Sequence, residues 1–220
     1  MRTDDLIANL ADGLAPVKPL SPPSVRFLWW CVLAAACGAA GVAVFGGRPG
    51  LGTLLRQPFF AWLVVLPLGM AAVAAAAALV LAVPGAERSR ALRSSAVAVG
   101  GIWAVLLLAA VARAGNGFAN ASHWPICVSR VVAIGLIPAV ALLGMLRRAA
   151  PLRPAWASAL AASAAMATGA AAIQLICPID DAAHSLLGHF GPVLLMAGLG
   201  AWQAARLVNQ RWKRGAGSPR

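Results

Sequence analysis

The sequence predicts an all-α polytopic membrane protein with six transmembrane helices and with both the N- and C-termini in the cytoplasm. Three observations carry this reading. Of the 220 residues, 61% are hydrophobic and 11% are charged, whereas soluble domains run at about 45–50% apolar and about 25% charged. Six stretches approach the roughly 20 apolar residues that a helix needs to cross a bilayer core: 27–45, 58–83, 96–112, 127–146, 155–177 and 187–205. Finally, 18 Lys and Arg against 6 Asp and Glu give a formal charge of +12, and the cations are not evenly spread. On alternate connections, fourteen fall on the side of the termini and four (Arg48, Arg56, Arg113 and Arg130) on the other. Cytoplasmic loops are the ones enriched in Lys and Arg. The +12 is then mostly topology, and direct nucleic-acid binding is not expected.

Residues 1–25 read as a cytoplasmic segment. Thr3 is an N-cap candidate, with Asp4 and Asp5 in the first turn, where acidic groups complement the helix dipole. Leu6, Ile7, Leu10 and Leu14 follow at helical spacing. Gly13 is placed to end this helix, and Pro16, Pro19, Pro22 and Pro23 forbid its continuation into the membrane. An isolated helix of about 10 residues is marginal in water, so its apolar stripe needs a partner. Its acidic residues disfavour an anionic lipid surface and favour another protein.

Residues 26–208 read as the membrane domain, resting in the lipid bilayer. Gly46-Gly47-Arg48-Pro49-Gly50 ends the first span and Pro84-Gly85-Ala86-Glu87-Arg88 the second. Gly115-Asn116-Gly117 follows the third, Arg147 to Pro154 separates the fourth from the fifth, and Cys177-Pro178-Ile179-Asp180-Asp181 precedes the sixth. Gly and Pro between apolar runs are the usual punctuation. Pro67 and Pro138 interrupt the second and fourth spans. The fifth is mostly Ala and Gly, with Ser158, Ser163 and Thr168 along it. Small residues let helices approach closely, and their hydroxyls can bridge them. Trp29, Trp30, Trp62, Trp124, Trp156 and Trp202 lie near span ends, which places them at headgroup depth. Residues 209–220 form a basic cytoplasmic tail.

The span interiors hold no acidic residue, which argues against an ion-coupled carrier. The outer side holds more chemistry. His123, His184 and His189 fall there, as do Cys127, Cys177, Asp180 and Asp181. Cys127 opens the fourth span and Cys177 closes the fifth, so both sit at one surface. Two thiols at one depth suit a disulfide if their Cα atoms come within about 7 Å, and an extracytoplasmic surface permits that oxidation. Alternatively, Cys127 and Cys177 with His123, His184, His189 and Asp180 are candidate ligands for a soft metal ion such as zinc or cadmium, bound transiently. No resident cofactor is expected. In a plainer reading His184 caps a helix and His189 sits at the headgroup boundary. Cys31 and Cys37, six residues apart in the first span, read as packing residues. No nucleotide loop, metalloprotease helix or Cys-x-x-Cys pair is present, and the chain is not expected to be an enzyme.

Several parts in this order resemble the NrsF family, negative regulators of sigma factor F. They are Thr3-Asp4-Asp5-Leu6-Ile7 with Leu10 and the proline-rich stretch, then Cys127, Pro138, Arg147-Arg148 and Pro151. Cys177 comes next, with the stretch from His184 to His189, a Gly-rich last span and Trp212. The resemblance implies a six-span protein of the bacterial inner membrane that acts as an anti-sigma factor. It implies an extracytoplasmic-function sigma factor as partner, which supplies what the stripe of Asp4, Asp5, Leu6, Ile7, Leu10 and Leu14 lacks and makes these the expected contact residues. It further implies release when Cys127 and Cys177 sense heavy metal or oxidative stress. Two other functions use the same outer residues: a membrane thiol oxidoreductase, and a small transporter or metal-export subunit.

Overall fold

The structure, a computed structural model, describes residues 2–12, 19–86, 89–115, 118 and 123–216. Among these, a short helix α1 (Thr3–Ala11) precedes the bundle. The bundle follows as α2 (Pro23–Phe45), a single turn α3 (Leu51–Leu54), α4 (Pro58–Val80), α5 (Arg90–Ala114), α6 (Trp124–Ala149) and α7 (Pro154–Gln174). A last turn α8 (Ala182–Ser185) runs through a π-helical turn, Leu186–Phe190, into α9 (Gly191–Ala216). Six of these helices are long and apolar enough to cross a membrane: α2, α4, α5, α6, α7 and the continuous Ala182–Leu207. The chain is a multi-pass, all-helical membrane protein, and the six spans lie where the apolar stretches predict them.

The chain starts α2, α4 and α7 with Pro in the first turn, and α6 with Pro125. Proline costs no hydrogen bond there and fixes a helical φ. Gly115 ends α5 in the left-handed conformation, which glycine adopts without a Cβ penalty. Ser89 caps the same helix, its hydroxyl accepting from the Leu92 amide.

The core is built around α7. It packs on α4, α6 and α9 and also touches α2, and every residue from Leu160 to Gln174 is buried. Its composition is the reason. A Cβ on Gly169 would overlap the Val131 carbonyl of α6, and one on Gly135 of α6 would meet the Ala165 carbonyl at 2.8 Å. A Cβ on Gly200 of α9 would meet the Ser158 carbonyl at 2.9 Å. Backbones this close gain dispersion contacts, which in lipid replace the hydrophobic effect as the force joining helices. The Thr168 hydroxyl does not bridge helices; it donates to Ala164 O within α7 at 3.1 Å.

Several sequence expectations need correction. Arg2, not Thr3, is the N-cap of α1, and its amide donates to the Asp5 carboxylate at 3.3 Å. Gly13 and Leu14 lie outside the described residues. Trp30 is no headgroup anchor: it is 2% exposed, and its indole N–H donates to Pro138 O at 3.0 Å. A buried indole N–H needs such an acceptor in an apolar medium. The fifth span stops at Gln174, not at residue 177. The amides of Leu175 and Ile176 turn back to Ala172 O and Ile173 O, tightening the last turn, and Pro178 disfavours helix at Cys177. The sixth begins at Ala182, five residues early, because Asp181 caps it: Asp181 Oδ1 accepts from the His184 amide at 2.7 Å.

Candidate functional site

The connections after α2, α5 and α7 share one end of the bundle, and the chemistry concentrates there. Cys127 lies in the first turn of α6, fixed by Pro125. Cys177 lies in the turn after α7, its amide bonded to Ile173 O at 2.7 Å. His184 and His189 come from α8 and the π turn. In an α-helix, at 3.6 residues per turn, residues five apart diverge by about 140°. A turn widened to i→i+5 bonding, as at Leu186–Phe190, narrows that divergence. The Gly191 amide donates to Leu186 O, the bond of that wider turn. His184 and His189 are five apart, and their rings meet edge to face, centroids 5.4 Å apart.

The four side chains converge. Cys127 Sγ donates to Cys177 Sγ at 3.6 Å. His184 Nε2 is 3.3 Å from Cys127 Sγ and 3.4 Å from Cys177 Sγ. One donor atom from each of Cys127, Cys177, His184 and His189 falls within 4.8 Å of the others. Both histidines are fully buried, and both cysteines nearly so. Both imidazoles therefore face the interior of the bundle and the two sulfurs. Gly188 makes the approach feasible, since a Cβ there would lie 3.2 Å from Cys127 Cβ. Phe190 then closes the turn edge to face against Trp103 of α5, at 4.8 Å between centroids.

Both thiols are free. A disulfide needs about 2.05 Å between sulfurs, and the two lie 3.6 Å apart, near enough to be joined by a small movement. The hydrogen bond from Cys127 holds the Cys177 thiol well below its ordinary value, which favours a thiolate, the form that reacts with oxidants and binds metals. Both ring nitrogens of His189 are buried, and neither meets hydrogen-bonding geometry with a partner among the described residues. Such an atom costs about 1–3 kcal/mol.

Two predicted ligands stand apart. His123 is exposed, at the N-cap of α6 with φ 58°. Asp180 is engaged by Arg48 in a two-pronged pair, with both N–O distances 2.8 Å. Sequence reading missed Arg48. Its side chain also donates to Cys177 O at 3.0 Å and its amide to Leu175 O at 2.9 Å, and the Asp180 carboxylate raises its pKa. The available signal was a cation in one outer connection and an Asp three residues past Cys177 in another.

The candidate partner surface looks different. Leu6, Ile7 and Leu10 of α1 are 42%, 60% and 65% exposed, and Asp4 and Asp5 are exposed beside them. No residue of α1 is buried.

Comparison with known proteins gives one match. The model of the NrsF family, described as negative regulator of sigma F, matches residues 10–212. No curated protein and no solved structure matches the chain.

Proposed function

The chain belongs to the NrsF family of negative regulators of sigma F, and on that premise we propose that it is a membrane-bound anti-sigma factor for an extracytoplasmic-function sigma factor. In this reading it is a regulator, not an enzyme, and it resides in the bacterial inner membrane. Cations crowd the end of the bundle that carries the termini, and the positive-inside rule puts that end in the cytoplasm. The uncovered stripe of α1 is the observation that carries the reading. Leu6, Ile7 and Leu10 with Asp4 and Asp5 form an amphipathic face suited to the groove of a basic partner.

The thiol pair is the proposed trigger. It lies a full span away from α2's first residue, at the outer end. Hydrogen peroxide would join the sulfurs of Cys127 and Cys177: the thiols lose two protons and two electrons, and the peroxide leaves as two waters. A heavy-metal ion would instead bind both sulfurs. Either event changes how the start of α6 and the turn after α7 pack. To release sigma, the change must bias a bundle whose cytoplasmic face binds sigma in one state only. A coupling of about 1–3 kcal/mol would change that affinity about 5–150-fold.

Deleting residues 1–20 tests the contact. Repression of a sigma-dependent reporter should be lost while the protein persists in the membrane; unchanged repression overturns the assignment of α1. Replacing Cys127 and Cys177 by Ser tests the trigger. Induction by cadmium or peroxide should be altered, and normal induction removes the thiols from the mechanism.

A further inference from the structure

We propose that Cys127, Cys177, His184 and His189 form a tetrahedral site for one soft divalent ion, zinc or cadmium, bound by two sulfurs and two imidazole nitrogens. The distances match that geometry. Tetrahedral edges are about 1.6 times the metal–ligand bond. Bonds of about 2.3 Å to sulfur and about 2.0 Å to nitrogen therefore give edges of about 3.8 Å between sulfurs and about 3.5 Å from sulfur to nitrogen. The three edges joining Cys127, Cys177 and His184 measure 3.6, 3.3 and 3.4 Å.

His189 supplies the fourth vertex. Its ring is fully buried, its nitrogens meet no partner in hydrogen-bonding geometry among the described residues, and its donor atom lies within 4.8 Å of the other three. A bound ion would give one of those nitrogens a partner. Charge agrees with burial: two thiolates neutralise a divalent ion, so the occupied site carries no net charge into an apolar wall. The donors are sulfur and imidazole with no oxygen, which selects zinc or cadmium over magnesium or calcium. Arg48 holds the Cys177 carbonyl from outside, the kind of outer contact that orients a ligand.

This site deepens the regulatory reading and rests on it for what the ion does to sigma binding. The binding itself is measured without sigma. The full chain in detergent, reduced and stripped with chelator, is titrated with cobalt and with cadmium. We expect one ion per chain, the visible absorption of tetrahedral cobalt, and displacement of cobalt by zinc. His184→Ala and His189→Ala should each weaken binding beyond the about 10–100-fold that loss of an outer contact costs. His189→Cys, which restores a ligand, should recover most of it.

Absence of binding by the reduced wild-type chain overturns the site. So does unchanged binding in both alanine variants, which would leave a thiol pair alone. Circular dichroism of each variant separates ligand loss from misfolding, and a folded His189→Cys that fails to rescue counts against the geometry. If ions bind but deletion of residues 1–20 leaves repression intact, the assignment of α1 as the sigma contact fails and the site stands. If deletion abolishes repression and no ion binds, the reverse holds.

Discussion

Helix α1 and the thiol–imidazole cluster break opposite rules of protein architecture. In α1, large apolar side chains stand in solvent: Leu10 is 65% exposed. In the cluster, polar side chains are removed from solvent, and the ring nitrogens of His189 meet no hydrogen-bonding geometry among the described residues. An exposed apolar stripe of this kind is what the proposed sigma contact requires. A buried polar group of this kind is what the proposed ion site would complete. In the function proposed above, α1 is the output of the device and the cluster its input.

The largest expected effect breaks the comparison at α1. A Leu6→Asp, Leu10→Asp double variant should lose repression as completely as the deletion. Its stability should stay within about 0.5 kcal/mol of the parent, as for surface changes elsewhere, when unfolding is followed by circular dichroism in detergent. A much larger stability loss would mean that α1 packs on the bundle and that its stripe is not free for sigma.

At the other region, Gly188→Leu should be the most damaging single change. The new side chain would press on Cys127 Cβ and on Trp124 O, 3.4 Å from the first added carbon. Overpacking of this kind costs about 1–3 kcal/mol, and it should part the π turn from α6, abolishing cobalt absorption. Retained absorption would show that the turn reaches the sulfurs by another path.

The spans were legible because a run of about 20 apolar residues has few other uses. Their ends were less so. Asp181 reads equally as a loop residue or a cap, and only its bond to the His184 amide decides. The end that gathers Cys127, Cys177 and the histidines followed from counting spans. Choosing His184 and His189 over His123 and Asp180 did not, because it depends on a π turn. A widened turn leaves no hydrophobic period to read, and its one trace is two histidines five residues apart around Gly188. Trp30 misled because nearness to a span end says nothing of which face it occupies, and its face meets the Pro138 carbonyl.

A subtler change sharpens the contrast. His189→Phe keeps a planar ring and removes both ring nitrogens. Replacing an unsatisfied buried polar group by an apolar one of similar shape can stabilise. The metal-free variant should therefore gain about 1 kcal/mol while losing tight cobalt binding. Such a trade of function for stability is expected where a site is kept for its ligand. A destabilised variant would mean that His189 is held by contacts of its own, and the claim that it awaits a ligand would fail.

The smallest effect belongs to Arg48. Its partner Asp180 is 62% exposed on its side chain, and such pairs contribute about 0–1 kcal/mol. Arg48→Ala should thus barely move the unfolding curve. The same guanidinium also donates to the Cys177 carbonyl, so its removal frees the turn that presents one sulfur. Cobalt affinity should fall about 10–100-fold, as when other outer contacts to ligands are lost. Arg48→Lys keeps the charge but not the two-pronged fork, and it should recover stability more fully than affinity. Equal loss of both in Arg48→Ala would make Arg48 a structural strut and confine the ion's surroundings to its four ligands.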